Sequence, residues 1–284
     1  MILVADSGST KCDWLLLNGG ESIPTKTMGF NPFFHSIELI KSELALNDLL
    51  TANREKVSSV FFYGAGCSSA ERKQIIINAL SFYFPNAEEL VVDHDLTGAA
   101  LATCGREPGI ACILGTGSNS CLFDGRMVHE EVPALGHMLG DEGSGSFFGK
   151  ILLSEFLYKK LPQDLHEAFE AEFKLLKEDI FFHVYNQPNP NVYLASFMKF
   201  VSRHKQHPHF KKMMFAGLKK FADIHILCYE KYAELPVHFV GSIAFHFEEI
   251  LSEVAKVSGF TLGKIIKKPI DSLSEFHLLK HENQ

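Results

Sequence analysis
The sequence predicts an α/β protein made of two related halves, and three observations carry that prediction. Strand-like and helix-like segments alternate through the first hundred residues. An apolar strand running into a turn of glycine and hydroxyl residues occurs twice, with Gly117 following Gly8 by 109 residues, about one domain length. The chain has 284 residues, which corresponds to roughly two domains at about 150 residues each.

Met1 to Asp6 is β-rich, Ser7-Gly8-Ser9-Thr10 is a turn, and Lys11 to Leu17 is β-rich again before the hairpin turn Asn18-Gly19-Gly20. A third strand spans Ser22 to Met28. After Asn31-Pro32, the 3.6-residue spacing of Ile37, Ile40 and Leu44 predicts a helical stretch to about Ala52. Val57 to Tyr63 is a compact apolar strand, and Ser68 with Glu71 three residues on reads as a capping box opening a helix to about Phe84. Glu89 to Asp93 is a strand and Leu96 to Cys104 a helix.

The second half opens in the same way. Ala111 to Leu114 is an apolar strand, Gly115-Thr116-Gly117 a turn, Ser120 to Phe123 a strand, Asp124-Gly125 a turn, and Met127 to Val132 a third strand. Residues 145 to 160 are predicted helical, and residues 162 to 234 hold further helices interrupted at Gln187 to Pro190 and at His207-Pro208. Val237 to Val240 returns to strand, Gly241-Ser242 opens a helix to about Val257, a strand lies near Ile265, and Pro269 starts a final helix to His281.

Composition narrows the function classes. Apolar residues at 46% and charged residues at 21% describe a folded globular chain. With 34 acidic against 27 basic residues, a formal charge of −7 and no long Lys/Arg run, nucleic acid is not an expected partner. Neither is the membrane, because no apolar run approaches the ~18 residues a spanning helix needs. Met1-Ile-Leu-Val-Ala5 meets Asp6 without a basic region before it, so it reads as a strand and not a signal peptide, and the expected location is the cytoplasm. Six cysteines without a C-x-x-C spacing suit reduced, mostly buried thiols. The histidine groups His204, His207 and His209, and His277 with His281, lack a nearby Cys or evident carboxylate partner and read as structural or surface residues.

A strand, a tight turn of small residues and a second strand present several backbone N–H groups to one spot, as a phosphate chain requires, although small residues also suit a plain hairpin. Asp6, at a strand end, can hold Mg²⁺ through water, and the Thr10 hydroxyl can contact a phosphate. Asp95 stands where a strand ends and a helix begins, as either a base or a helix cap; Asp93, two residues earlier, is the rival carboxylate. Asp141, in Gly140-Asp-Glu-Gly143, likewise begins a helix and can be only a cap.

The set Asp6-Ser-Gly-Ser-Thr-Lys11, Asp95-Leu-Thr-Gly98, Gly115-Thr-Gly-Ser-Asn119, Gly136-His-Met-Leu-Gly-Asp-Glu-Gly-Ser144 and Val240-Gly-Ser242 resembles, in order and over nearly the whole chain, the N-acetylglucosamine kinases. These are BadF/BadG/BcrA/BcrD-type ATPases within the sugar kinase, Hsp70 and actin superfamily. The resemblance implies two ribonuclease-H-like domains, residues 1–107 and 108–284, with a helical insertion in the second, a last helix packing back on the first, and a ligand cleft between them. ATP, Mg²⁺ and an amino sugar would be the ligands, with transfer to the sugar 6-hydroxyl, and relatives suggest a homodimer. Asp95 would be the catalytic base. Asp6, Gly8, Ser9, Thr10, Lys11, Gly115, Thr116, Gly117, Gly241 and Ser242 would contact ATP. Asn31, Asp95, Ser118, Asn119, Gly136 and Asp141 would contact the sugar. The chain departs from many relatives at Pro133-Ala-Leu135, where they carry a Gly-Gly-Trp-like stretch, so the resemblance leaves acetamido specificity open.

Two other functions fit parts of this pattern. An iron-sulfur ATPase that activates dehydratases is suggested by Cys112-Ile-Leu-Gly-Thr-Gly117, and a catalytically idle sugar sensor by the same fold.

Overall fold
The computed structural model describes residues 1–8 and 10–282, and side chains only as far as residue 279. The chain divides into two compact units. The first comprises Met1–Glu107, Gly125–Val128 and Lys268–Gln284; the second comprises Pro108–Asp124 and His129–Lys267.

In the first unit, β1 (Ile2–Ser7), β2 (Lys11–Asn18) and β3 (Glu21–Met28) form an antiparallel meander, and β4 (Ser59–Gly64) and β5 (Glu89–His94) extend it in parallel with β1. The order across the sheet is β3-β2-β1-β4-β5. One sheet face and the helices bury Leu3, Trp14, Phe30, Ile40, Leu44, Phe62 and Leu80 in one core. The helical stretch predicted to Ala52 is two helices, α1 (Ile37–Ala45) and α2 (Asp48–Asn53). Asn47 divides them: its backbone is extended, its Oδ1 accepts from Leu50 N at 3.0 Å, and its Nδ2 donates to Thr25 Oγ1 at 2.8 Å. Helix α3 (Ala70–Tyr83) is capped by Ser69 and not by the predicted Ser68, whose hydroxyl instead faces the Arg72 guanidinium.

Helix α4 (Asp95–Cys104) follows β5 directly. The last helix, α14 (Ile270–Glu282), packs on this unit, where His277 stacks on Phe61 at 3.7 Å between ring centres and bonds Tyr63 Oη at 2.9 Å.

The second unit repeats the plan. Strands β6 (Gly109–Leu114) and β7 (Ser118–Phe123) are antiparallel, with β8 (Val128–His129) at the edge; β9 (Pro236–Val240) runs parallel to β6, and β10 (Thr261–Ile266) parallel to β9. Its order, β10-β9-β6-β7-β8, is that of the first sheet when strands are matched in sequence. The third strand predicted over Met127 to Val132 shrinks to two residues, Val128 and His129.

Helices α5 (Gly136–Leu139), α6 (Gly145–Leu157), α7 (Gln163–Phe173) and α8 (Lys177–Phe181) come next, the last running into a π-helical turn over Phe182–Asn186. They are followed by α9 (Pro190–Ser196), α10 (Met198–Arg203), α11 (Pro208–His225), α12 (Ser242–His246) and α13 (Glu248–Ser258). The helix predicted from Ser242 to Val257 thus breaks at Phe247, whose buried side chain joins the core while its backbone leaves helical geometry. Phe148, Phe169, Phe200, Phe210, Phe221 and Phe239 are among the aromatic residues of that core.

Candidate active site
Parallel pairing of β1, β4 and β5 brings their C-terminal ends, Ser7, Gly64 and His94, to one sheet edge. Open α/β sheets place their ligand sites at such an edge. Two bonds gather the loops there: Ala65 N donates to Ser7 O at 2.8 Å, and Phe30 N donates to Ser7 Oγ at 2.8 Å. The turn from β1 to β2 is closed by Gly8 N donating to Lys11 O at 3.0 Å, and Thr10 is exposed in it. Ser9 lies outside the described residues.

Charge is concentrated around this turn. Asp6 on β1 faces Asp13 on β2 in the strand register. Asp13 is nearly buried and held by two lysines, Lys11 at 3.5 Å and Lys268 at 3.1 Å. Asp6 forms no ion pair among the described residues, and burial, followed by the negative charges of Asp95 and Asp13, pushes its carboxyl up to about 7 against the smaller pull of Lys11 and Lys268. That surplus of negative charge suits a cation, and no group of three His, Cys, Asp or Glu side chains able to hold a metal occurs among the described residues. One carboxylate completed by water and phosphate oxygens is how Mg²⁺ is commonly held in phosphoryl-transfer sites, so the residues present fit the ion.

Asp95 is the first residue of α4 and not its cap; the cap position is His94, which makes no side-chain capping bond. The Asp95 Oδ1 lies 3.3 Å from His94 Nε2, and its Oδ2 bonds to no described residue. Its rival is committed elsewhere: Asp93 Oδ1 takes Lys73 Nζ at 2.6 Å and the His94 N–H at 2.8 Å. Gly98 lets α4 approach β4, since a Cβ there would lie 2.8 Å from Tyr63 Cβ. Asn31 shapes the loop after β3, its Oδ1 accepting from Phe33 N at 3.0 Å, while its Nδ2 bonds to no described residue.

The second unit builds its turn differently. Gly115 N donates to Gly117 O at 3.0 Å, and the first turn of α6 braces the other side, with Gly145 N donating to Gly115 O at 2.8 Å and Ser146 N to Thr116 O at 3.0 Å. Gly241 closes on the same turn: a Cβ there would lie 2.3 Å from Leu114 O, and its φ of 122° is itself a glycine conformation. Ser242 then starts α12.

Asp141 was expected at a helix start. Helix α6 instead begins at Gly145 under a Ser144 cap, and Asp141 sits before it with φ 56°, a left-handed conformation that Asp tolerates better than most residues. This directs its carboxylate at the turn, where Oδ1 takes Ser118 N at 3.3 Å and Oδ2 takes Ser146 Oγ at 3.4 Å. Burial raises the Asp141 carboxyl, and the bonds from Ser118 and Ser146 partly offset it. Ser118 Oγ donates to Glu142 O at 2.8 Å; Asn119 spends Oδ1 on Ser120 N and Nδ2 on Glu130. Gly136, at φ 70°, opens α5 and bonds neither Asp141 nor Ser118.

Reading the sequence missed Ser146, Glu142, Asp13 and Lys268. Ser146 follows the Gly-Asp-Glu-Gly run closely enough to have been noticed, whereas Lys268 reaches Asp13 across 255 residues and carries no local signal. It also missed carboxylate partners for two histidines: His209 Nε2 lies 2.7 Å from Glu155 and His207 Nε2 3.4 Å from Asp164. Cys12, Cys67, Cys104, Cys112 and Cys121 are buried and Cys228 is half-buried.

No protein-family model matches the chain. No curated protein matches it either. Among solved structures, a Porphyromonas gingivalis protein provisionally named an N-acetylglucosamine kinase is 40% identical, with a TM-score of 0.93 over 99% of this chain and 100% of that one. The chain belongs to the family of N-acetylglucosamine kinase-like proteins. The likeness of fold extends further, to a provisionally named N-acetylglucosamine kinase from Chromobacterium violaceum at 16% identity and TM-score 0.71, covering 97% of this chain and 98% of that one. It also includes a ROK family glucokinase from Streptomyces griseus, solved with glucose and AMPPNP, at 12% identity and TM-score 0.56, covering 96% and 98%. The two mixed five-stranded sheets are thus those of the two-domain sugar kinase, or actin-like ATPase, fold. Among the described residues no helix is long and apolar enough to cross a membrane.

Proposed function
We propose that the protein is an ATP-dependent amino-sugar kinase that transfers the γ-phosphoryl group of ATP to the 6-hydroxyl of N-acetylglucosamine or a close relative. The observation that carries this reading is the state of Asp95: a carboxylate at the strand-end edge, 3.3 Å from His94 Nε2 at one oxygen and bonded to no described residue at the other. Membership of a sugar-kinase family supports it, as does the pair of glycine turns.

In the first unit, Asp95 accepts the proton of the acceptor hydroxyl as that oxygen bonds to phosphorus and the bond to ADP breaks. Asn31 Nδ2 offers a donor to the sugar, and Gly8, Ser9, Thr10 and Lys11 border the phosphates. Asp6 would hold Mg²⁺ through water, and the bound ion would neutralise phosphate charge. In the second unit, Gly115, Thr116 and Gly117 offer backbone donors to phosphate, Gly241 and Ser242 border the nucleotide, and Asp141, with Ser118, Asn119 and Gly136, receives sugar hydroxyls. The iron-sulfur alternative loses its motif, because Cys112 is fully buried within β6. A cytoplasmic location and a homodimer complete the proposal.

The test is mass spectrometry of products after incubation with Mg²⁺-ATP and, separately, N-acetylglucosamine, glucosamine, N-acetylmannosamine, glucose or no sugar. Phosphorylated N-acetylglucosamine is the expected product. ATP binding without any phosphosugar would favour a sensor.

A further inference from the structure
We propose that Gly66 is a positioning residue for Asn31: its bare Cα lets the Asn31 side chain lie against the loop after β4, presenting Nδ2 as a fixed donor to the acceptor sugar. The inference rests on the sugar-kinase reading and on Asn31 as a sugar contact. Ser7, fully buried at the end of β1, draws two loops together there: its Oγ takes Phe30 N at 2.8 Å and its carbonyl takes Ala65 N at 2.8 Å. Asn31 follows the first of these residues in the chain and Gly66 follows the second.

Asn31 is committed at every polar group but one. Its N–H donates to His35 Nδ1 at 3.1 Å, its carbonyl accepts from the N–H groups of Phe34 and His35 at 3.0 Å each, and its Oδ1 accepts from Phe33 N at 3.0 Å. The last bond orients the amide, because an N–H donor can face only the oxygen, and Nδ2 is then the donor left over for a ligand.

Gly66 closes the other side. Cys67 N donates to Gly64 O at 3.2 Å, and Gly66 stands third in that four-residue turn with φ 83°, the positive φ that a type II turn places there. A Cβ on Gly66 would lie 2.3 Å from Asn31 Oδ1 and 3.0 Å from Phe33 Cδ2, so a side chain would displace Asn31 or break its bond to Phe33. Backbone conformation alone does not impose this: Gly105 also has a positive φ, 67°, with nothing within 4 Å of its Cβ position. The Arg72 guanidinium lies over the Phe33 ring, 3.4 Å from its centre, and donates to Ser68 Oγ at 3.4 Å, which holds Phe33 in place beside Asn31.

The test compares Gly66→Ala with Gly105→Ala, which carries the same kind of backbone cost without meeting Asn31. By calorimetry, Gly66→Ala should raise the dissociation constant for N-acetylglucosamine about 10-fold, as for losing one hydrogen bond, with ATP affinity within about 3-fold of wild type. Gly105→Ala should bind the sugar as wild type does. In turnover with Mg²⁺-ATP, the Gly66→Ala loss should fall on KM for the sugar, with kcat within about 3-fold. In an Asn31→Ala background, Gly66→Ala should add little further loss of sugar affinity, because both act through one amide. Unchanged sugar affinity in a folded Gly66→Ala protein, an equal loss in Gly105→Ala, or full additivity with Asn31→Ala would overturn the proposal. If Gly66→Ala alone does not fold, Asn31→Ala should restore folding by removing the colliding oxygen, and failure to restore it would also overturn the proposal.

Nitrogen-15 NMR of the Asn31 side-chain amide in the sugar-free protein reads the contact without turnover. Its resonances should shift in Gly66→Ala and keep their wild-type positions in Gly105→Ala; resonances that ignore Gly66→Ala overturn the proposal. A shift in a protein that binds and phosphorylates no sugar would instead break the kinase reading.

Discussion
The two glycine turns occupy equivalent places in two sheets of one topology, but they are held by different forces. The turn after β1 has a single closing backbone bond, Gly8 N to Lys11 O, and sits among carboxylates and lysines: Asp6, Asp13, Lys11 and Lys268. The turn after β6 faces one carboxylate, that of Asp141, and is fixed by backbone donors from α6 and by the close approach of Gly241. Duplicated topology thus carries two specialised edges. One gathers carboxylates and lysines; the other presents a braced set of backbone dipoles.

The comparison breaks most severely at Gly241. A Cβ 2.3 Å from Leu114 O has nowhere to go, because the atom it meets is backbone. Gly241→Ala should cost about 3–4 kcal/mol in denaturant unfolding, or prevent folding, with any folded protein losing nucleotide affinity. The same substitution at Gly8, where a Cβ would meet Lys11 O at 3.8 Å, should cost no more than about 1 kcal/mol. Equal effects at the two glycines would remove the distinction between the turns.

Charge at the first turn sharpens it next. The Asp6 carboxyl is raised from 3.8 to about 7, so the folded protein holds a proton that the unfolded chain has released, and folding stability falls as pH rises from about 4 to 7. Asp6→Asn removes this dependence. It should therefore be more stable than wild type at pH 8, by about 1–3 kcal/mol, with the gap closing toward pH 4, as read by unfolding midpoints across pH. A gap that does not vary with pH would contradict the account. Smallest is Ser146→Ala, which removes one bond to Asp141 and should cost about 1 kcal/mol, seen as a rise in sugar KM of several-fold with kcat nearly unchanged.

Much of this was legible in the sequence because it rests on local patterns. Strand, small-residue turn and strand are contiguous, so both turns and their flanking strands are readable from composition alone, and the resemblance of Gly115 to Asn119 and Gly136 to Ser144 pointed to the second edge. What was not legible depends on competition or distance. Ser68 and Ser69 both satisfy a capping rule, and it is the Ser69 hydroxyl that accepts from Arg72 N, while Ser68 takes the Arg72 guanidinium. Asp93 and Asp95 are both acids at a strand end, and what separates them is that Asp93 takes the His94 N–H and Lys73, a residue twenty positions earlier on another helix. Asp141 reads as a cap until its left-handed backbone turns the carboxylate back toward Ser118. Lys268 reaches Asp13 only because the chain returns to the first unit after completing the second.

The central claim is that Asp95 takes the proton of a sugar 6-hydroxyl. The direct measurement is turnover of N-acetylglucosamine by wild type and Asp95→Asn with Mg²⁺-ATP, alongside sugar binding by calorimetry and NMR assignment of the phosphorylated carbon. The account predicts a 6-phosphate from wild type and a loss of about 10²-fold or more in kcat for Asp95→Asn, with sugar affinity changed by only a few-fold. A folded Asp95→Asn protein that turns over like wild type, or a phosphate on another oxygen, would contradict it.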